Sequence, residues 1–335
     1  MALLKTTEEF RAGLPVNVTS SIDLLAGALA AAERRHIVPV LGRAQYNELR
    51  IAYDAGTLSP LQAELLAVVQ AALANLAYAP YITIAQLDIS DSGIRIQTDD
   101  NHKTAFQWQI DDLREYVTEA GYTALEDALG FLDDNKAAFP LWATSAAYTY
   151  NKELLLNSAP DFDKCYRING SRRTFLALVP LIRQVEHFAL EPVLSAAFCQ
   201  ALRDELATGA VGAPTAAVLK LLHPALANLT VAEAVLEMGV DLTPGGLVVQ
   251  ELDKTTTNNR VRKQASETVL ALKRNQALET GRAYLRDLVE LLNKTASTTV
   301  YAAYFSSDRY TAPAPPPDPN AQPAPPRVGG LYGAC

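Results

Sequence analysis

Two stretches of the chain decide its fold: QAALANLAYAPYITIAQLDISDSGIRIQ at 70–97 and HPALANLTVAEAVLEMGVDLTPGGLVVQ at 223–250. They align without a gap at an offset of 153 residues and share the pentapeptide ALANL. An aspartate, a glycine and a glutamine recur after it, as Asp88/Asp241, Gly93/Gly246 and Gln97/Gln250. Self-similarity at a fixed offset is typical of a duplicated structural unit.

The similarity extends well beyond these stretches. Between 20–97 and 173–250, 20 of 78 positions are identical, whereas chance matching would give about six. Downstream, the offset becomes 160 and pairs Lys103 with Lys263, and Leu125 with Leu285. The second copy therefore has seven more residues in the intervening loop. We predict a tandem duplication of a helical-bundle unit.

Each unit is predicted to be mainly α, in the order helix, break, helix, long helix, β-hairpin, helix, helix. Thr19 or Ser20 caps the first helix, which Pro39 interrupts, and Ser59-Pro60 opens the long helix, which runs to about Pro80. Apolar residues alternate with other residues on both sides of a glycine-containing turn, and this pattern predicts small β-hairpins near 87–97 and 240–250. The last helices are predicted at 103–119 and 123–134, and at 262–279 and 281–294.

These elements divide the chain into three parts. Residues 1–152 form the first repeat unit with an N-terminal arm, and 153–310 form the second unit, with a linker near 157–163. Residues 311–335 are predicted to be an extended arm, because eight prolines lie among the fifteen residues 312–326.

Composition narrows the function classes. With 49% hydrophobic residues, the chain is predicted to bury a sizeable core. Its net charge of −8 disfavours a protein whose main role is to bind the phosphate backbone of nucleic acids. Three cysteines without a CxxC pair fit a reducing compartment, and the first residues lack the features of a signal peptide. The uncharged stretch 65–87 is long enough to span a bilayer, but its polar residues favour a buried central helix.

No catalytic, cofactor-binding or metal site is predicted. His36, His102, His187 and His223 do not stand at a metal-ligand spacing. Aspartates cluster at 88, 91, 99, 100, 111 and 112, but without the spacing of a calcium loop, so a solvated acidic face is preferred. Cys165 lies among cations that could lower its pKa, yet no base accompanies it. Nucleophile-elbow and phosphate-loop motifs are absent, and we predict that the protein is not an enzyme.

Charge is distributed unequally between the copies. Segment 98–119 has a net charge of −4, whereas its counterpart 251–279 has +2. Opposite charges on equivalent surfaces favour head-to-tail contact between unlike units, although neutral drift after duplication explains them equally well. A short basic patch, formed by Lys164, Arg167, Arg172 and Arg173, precedes the second unit; it could contact nucleic acid or an acidic partner, but a solvated helix start is the default interpretation.

Several short motifs in the first unit point to a known family: LLKTTEEF at 3–10, Ser21-Ile22-Asp23, Ala32-Glu33 and IVPVLG at 37–42 with Tyr46 and Leu49. Through these motifs the first 130 residues resemble the helical head–tail connector (adaptor) proteins of tailed phages. The chain also resembles an uncharacterised family carried by phages and prophages of Bacteroidetes, a likeness that includes SRRTF at 171–175.

This resemblance implies a structural virion protein, assembled in the host cytoplasm, that forms an oligomeric ring in the neck between portal and tail. Its partners would be further copies of itself and the portal and tail proteins, with transient passage of DNA and no membrane. Connectors are usually single units, so six doubled chains would match the twelve positions of a portal ring. The alternative is a cytoplasmic bacterial protein-interaction module without catalytic activity.

Overall fold

A computed structural model shows a chain built mainly of helices. It describes residues 3–14, 22–85, 87–90, 93–96, 105–237, 240–243, 246–249 and 267–313. Several expectations lie outside these residues. They concern the cap at Thr19 or Ser20, Asp91, Asp99, Asp100, His102, Cys335, the segments 98–104 and 251–266, and nearly all of the proline-rich arm.

The first unit has eight α-helices and two strands among the described residues. In chain order they are α1 (Thr7–Gly13), α2 (Ala26–Ala32), α3 (Val38–Leu41), α4 (Arg43–Ala55), α5 (Pro60–Ile84), β1 (Leu87–Ser90), β2 (Gly93–Ile96), α6 (Gln107–Asp134), α7 (Pro140–Ala143) and α8 (Ala146–Lys152). A 3₁₀ turn at Ile22–Leu25 precedes α2, a π-helical turn at Glu33–Ile37 joins α2 to α3, and a second 3₁₀ turn lies at Lys136–Ala138.

The second unit repeats this order. It consists of α9 (Ala159–Cys165), α10 (Arg172–Val185), α11 (Glu191–Leu194), α12 (Ala196–Thr208), α13 (Ala213–Glu237), β3 (Val240–Thr243), β4 (Gly246–Val249), α14 (Glu267–Thr295) and α15 (Ala302–Phe305). The π-helical turn also recurs, at Glu186–Leu190 between α10 and α11. The predicted mainly helical, duplicated fold is thus confirmed.

Each unit has its own hydrophobic core around one long helix. The first core runs from Leu3 to Tyr148 and the second from Leu154 to Tyr304. Helices α5 and α13 are apolar on most of their surface, as expected of a helix buried on several sides. Helices α6 and α14 cover them along their length.

Local signals set the helix ends. Ser59 accepts the amide of Gln62 while the Gln62 side chain accepts the amide of Ser59, which makes a capping box at the start of α5. Gly56 and Gly209 end α4 and α12 in the left-handed conformation, which glycine adopts without steric cost.

The strands form two antiparallel pairs. Leu87 is opposite Ile96 in one pair, and Val240 is opposite Val249 in the other. The residues that join the strands of each pair, 91–92 and 244–245, lie outside the described residues, and so do the turns of the predicted hairpins.

Three predictions of local structure are wrong. Helix α5 continues to Ile84, because Pro80 lies in its last turns and removes only one amide donor. Helices α6 and α14 are each continuous across the predicted gaps at 120–122 and 280, because Gly121 and Gly281 pack closely against leucines of α5 and α13. The segment 157–163 is not a linker, since most of it belongs to α9.

Candidate functional site

The two cysteines that the structure describes, Cys165 and Cys199, are not arranged for nucleophilic chemistry. Cys165 is partly buried, and burial together with the nearby Asp161 carboxylate raises its pKa more than Lys164 lowers it. Cys199 is fully buried, and burial raises its pKa to about 12. A thiolate is the reactive form, so neither environment favours a nucleophile.

The three described histidines contact separate partners. His36 packs edge-on against Tyr122, His187 lies 2.9 Å from a carboxylate oxygen of Glu191, and His223 binds a backbone carbonyl. Within the described residues, no group of three His, Cys, Asp or Glu side chains is placed to hold a metal ion.

Each unit instead holds its first residues with a buried glutamate and a second, partly buried polar side chain. In the first unit, Glu33 Oε1 accepts the amide of Leu3 at 2.6 Å, and Gln70 donates to the carbonyl of Leu3 at 2.8 Å. Both groups of one peptide segment are therefore satisfied where the segment is buried. We call this arrangement the peptide clamp.

The second unit repeats the peptide clamp with one change of chemistry. Glu186 Oε1 accepts the amide of Leu155 at 2.7 Å, and His223 Nε2 donates to the carbonyl of Leu155 at 3.0 Å. Burial raises the pKa of Glu186, while Arg203, 2.8 Å from its other carboxylate oxygen, acts to lower it. The clamp has a structural role, because it fixes the start of each unit to its long helix.

The main polar contact between the units is made by α6. Glu126 accepts the amide of Ala159 at 3.1 Å and forms an ion pair with Arg172, whose side chain is 4% exposed. Two turns earlier in α6, Glu119 accepts a hydrogen bond from Ser171 at 2.8 Å and lies 3.9 Å from Arg173. Acidic side chains of the first unit thus bind the start of α9 and α10.

These contacts correct the default interpretation of the basic patch as solvated for Arg172, whereas Lys164, Arg167 and Arg173 are exposed as that interpretation expects. Arg172 is buried against Glu126, and Arg173 faces Glu119 of the same chain. Lys164 pairs with Asp161, and Arg167 donates to Asn169 within its own loop. Two of the four cations, Arg172 and Arg173, therefore contact acidic residues across the interface between the units.

A second contact joins α8 to the end of α12. The Tyr148 hydroxyl and the Lys136 ammonium both donate to the carbonyl of Ala207, at 2.9 and 3.3 Å. A cavity of about 220 Å³ lies beside Glu126 of the first contact. Its walls come from both sides of the interface: Glu126, Leu129, Gly130, Asp133, Trp142, Lys152, Asn157, Ser158, Pro160 and Asp161.

Sequence reasoning did not identify Glu126 or its partners. A signal was nevertheless present, because Arg286 occupies the position in the second copy that Glu126 occupies in the first. A charge reversal at equivalent positions marks a surface with a different neighbour in each copy.

The long central helices also meet the length and composition of a membrane span. Pro60–Ile84 and Ala213–Glu237 are apolar enough, but 61% of the most apolar window of each is buried inside the structure. Burial of this kind is expected of core helices, in agreement with the prediction for 65–87.

The comparisons with known proteins bear on the duplication. One family model, described as a family of unknown function (DUF6712), matches the chain twice, at residues 37–152 and 190–314. The two matches begin at equivalent positions, Ile37 and Leu190, and together cover more than two thirds of the chain. No curated protein and no solved structure matches significantly. The chain therefore belongs to the family DUF6712, of which it contains two copies.

Proposed function

We propose that this protein is a structural component of a phage virion, a head–tail connector that forms an oligomeric ring between portal and tail. The observation that carries the proposal is the asymmetry of the contact between its units. A face of α6 in the first unit binds a different face, at α9 and α10, in the second. Within the described residues, such a heterologous contact leaves one complementary face of each unit without a partner, and repetition of the contact between chains builds rings or filaments.

The charge of the chain suits passage of DNA through such a ring. The net charge of −8 gives little attraction for phosphate, so DNA would slide rather than bind. The resemblance of the first 130 residues to connectors supports the neck as the location and the portal and tail proteins as partners. Two units in one chain let six chains supply twelve equivalent positions.

Negative-stain imaging of the purified full-length protein tests this function. We expect closed rings with a central channel, whose class averages show about twelve lobes, two for each chain. Isolated particles with two lobes, at all protein concentrations, would overturn the ring and favour the protein-interaction module.

A further inference from the structure

A groove of about 670 Å³ runs along α14 in the second unit. Its lining is mostly apolar with a basic rim, and it consists of Val193, Arg282, Leu285, Arg286, Val289, Glu290, Asn293, Lys294, Thr311, Ala312 and Pro313. The groove therefore offers an open, partly charged surface beside the last described residues.

The groove is the repeat equivalent of the cavity between the units. Four α6 residues line that cavity, namely Glu126, Leu129, Gly130 and Asp133. At the offset of 160 their counterparts are Arg286, Val289, Glu290 and Asn293, and all four line the groove. In the first unit this surface is covered by the start of α9, whereas in the second the groove is wider and no segment among the described residues covers it.

The segment that covers the surface in the first unit also has a counterpart. Helix α9 corresponds to α1 at an offset of 152: each has seven residues, a hydroxyl N-cap and a fully buried phenylalanine. The caps are Thr6 and Ser158, each accepting an amide three residues later at 3.2 Å. Ala159 is fully buried under Glu126, while Thr7, its counterpart, is partly exposed.

Charges on the two unfilled surfaces are complementary. Arg286 replaces Glu126 in the groove, and Glu8 replaces Pro160 at the start of the helix. Both Arg286 and Glu8 are exposed. If α1 docked in the groove as α9 docks on α6, Glu8 would take the place of Pro160. It would then lie beside Arg286, whereas Pro160 lies beside Glu126.

We propose that the groove on α14 binds the start of α1, around Lys5–Glu9, from a second copy of this chain. The contact repeats the one between the two units and joins the chains head to tail. It rests on the proposed function in that it supplies the interface of the ring, but it is defined by its own residues.

Disulfide trapping tests the contact directly. Full-length chains carrying Thr7→Cys are mixed with chains carrying Arg286→Cys and oxidised, and mass spectrometry identifies peptides joined through residues 7 and 286. The matched control pairs Thr7→Cys with Lys220→Cys, an exposed position on α13 outside the groove. We expect the 7–286 link and no 7–220 link.

Charge exchange provides the second readout. Arg286→Glu and Glu8→Arg should each raise the dissociation constant for self-association about tenfold, because each places like charges together. The double variant should recover most of the loss, and Lys220→Glu should have no effect.

The outcomes separate this inference from the proposed function. Closed rings without a 7–286 link, and with no effect of Arg286→Glu, would overturn the docking contact and leave the ring. A protein that remains monomeric and forms no link would overturn both. Occupation of the groove by the chain's own residues 314–335 would give the same negative results and likewise overturn the contact.

Discussion

Gly121 of α6 packs directly against Leu76 of α5, so closely that a Cβ on the glycine would lie 2.6 Å from Leu76 Cγ. The same relationship recurs in the second unit, where a Cβ on Gly281 would lie 2.7 Å from Leu229 Cγ. Both units have thus kept a close contact between their two longest helices, α5 with α6 and α13 with α14.

Gly121→Ala and Gly281→Ala should each lower the free energy of unfolding by about 1–3 kcal/mol, because the added methyl overpacks the crossing. Gly130→Ala is the matched control in α6, since a Cβ there meets no atom within 4 Å. It should stabilise the helix by about 0.5–1 kcal/mol. Urea denaturation measures all three, and equal effects of Gly121→Ala and Gly130→Ala would refute the close-packing account.

The peptide clamp predicts a dependence of stability on pH. Burial lowers the pKa of His223, although Asp161 and the bond to Leu155 act to raise it. The folded protein therefore binds this proton less readily than the unfolded chain. Stability is full above the unfolded pKa of about 6.5 and is lost as the pH falls through the lower folded pKa.

His223→Gln should remove this part of the pH dependence, because Gln70 makes the equivalent bond in the first unit. Thermal unfolding of both proteins between pH 7.5 and pH 5 provides the measurement. His187→Gln is the control at an exposed site. If the unfolding temperature of His223→Gln changed between pH 7.5 and pH 5 as much as that of the wild-type protein, the role assigned to His223 would be contradicted.

Ser195 has a backbone φ of +72°, while its repeat counterpart Gly42 has +73°. This conformation with extended ψ is strained for a residue with a Cβ. Ser195→Gly should therefore raise stability by about 1 kcal/mol, since loss of its cap to Phe198 costs only a few tenths. Gly42→Ser should lower stability by about 1–3 kcal/mol, because its Cβ would also meet Ser145 at 2.9 Å. Calorimetry should show a higher unfolding temperature for Ser195→Gly and a lower one for Gly42→Ser.

The Arg172–Glu126 pair should be the strongest polar contact between the units. Arg172→Met leaves the Glu126 carboxylate without its cation and should cost about 3–5 kcal/mol in chemical denaturation. Arg183→Met removes an exposed pair with Glu153 and should cost less than about 1 kcal/mol. Similar losses for both variants would show that the interface does not depend on the buried pair.

The sequence predicted the duplication because the residues buried beneath α6 and α14 kept their identity. Asn75 and Asn228 of the shared ALANL stretch each donate to the carbonyl four residues before them, at 2.8 Å. The relationship of α1 to α9 was missed. Within these two helices only Phe10 and Phe162 are identical, and the first-turn residues differ, with Thr7 and Glu8 in α1 where α9 has Ala159 and Pro160.

The interface could not be predicted from spacing. Glu126 and Arg172 are 46 residues apart, and each stands in a helix whose pattern reports only which face meets its own core. The pattern predicted helix boundaries near Gly121 and Gly281, because sequence alone does not show that a neighbouring leucine occupies the place of their missing Cβ.

The mass of the purified protein in solution, measured by light scattering over a range of concentrations, tests the central claim most directly. Head-to-tail association through the α14 groove predicts a discrete species of about six times the 36.2 kDa chain mass. A mass of 36.2 kDa at every concentration would contradict it.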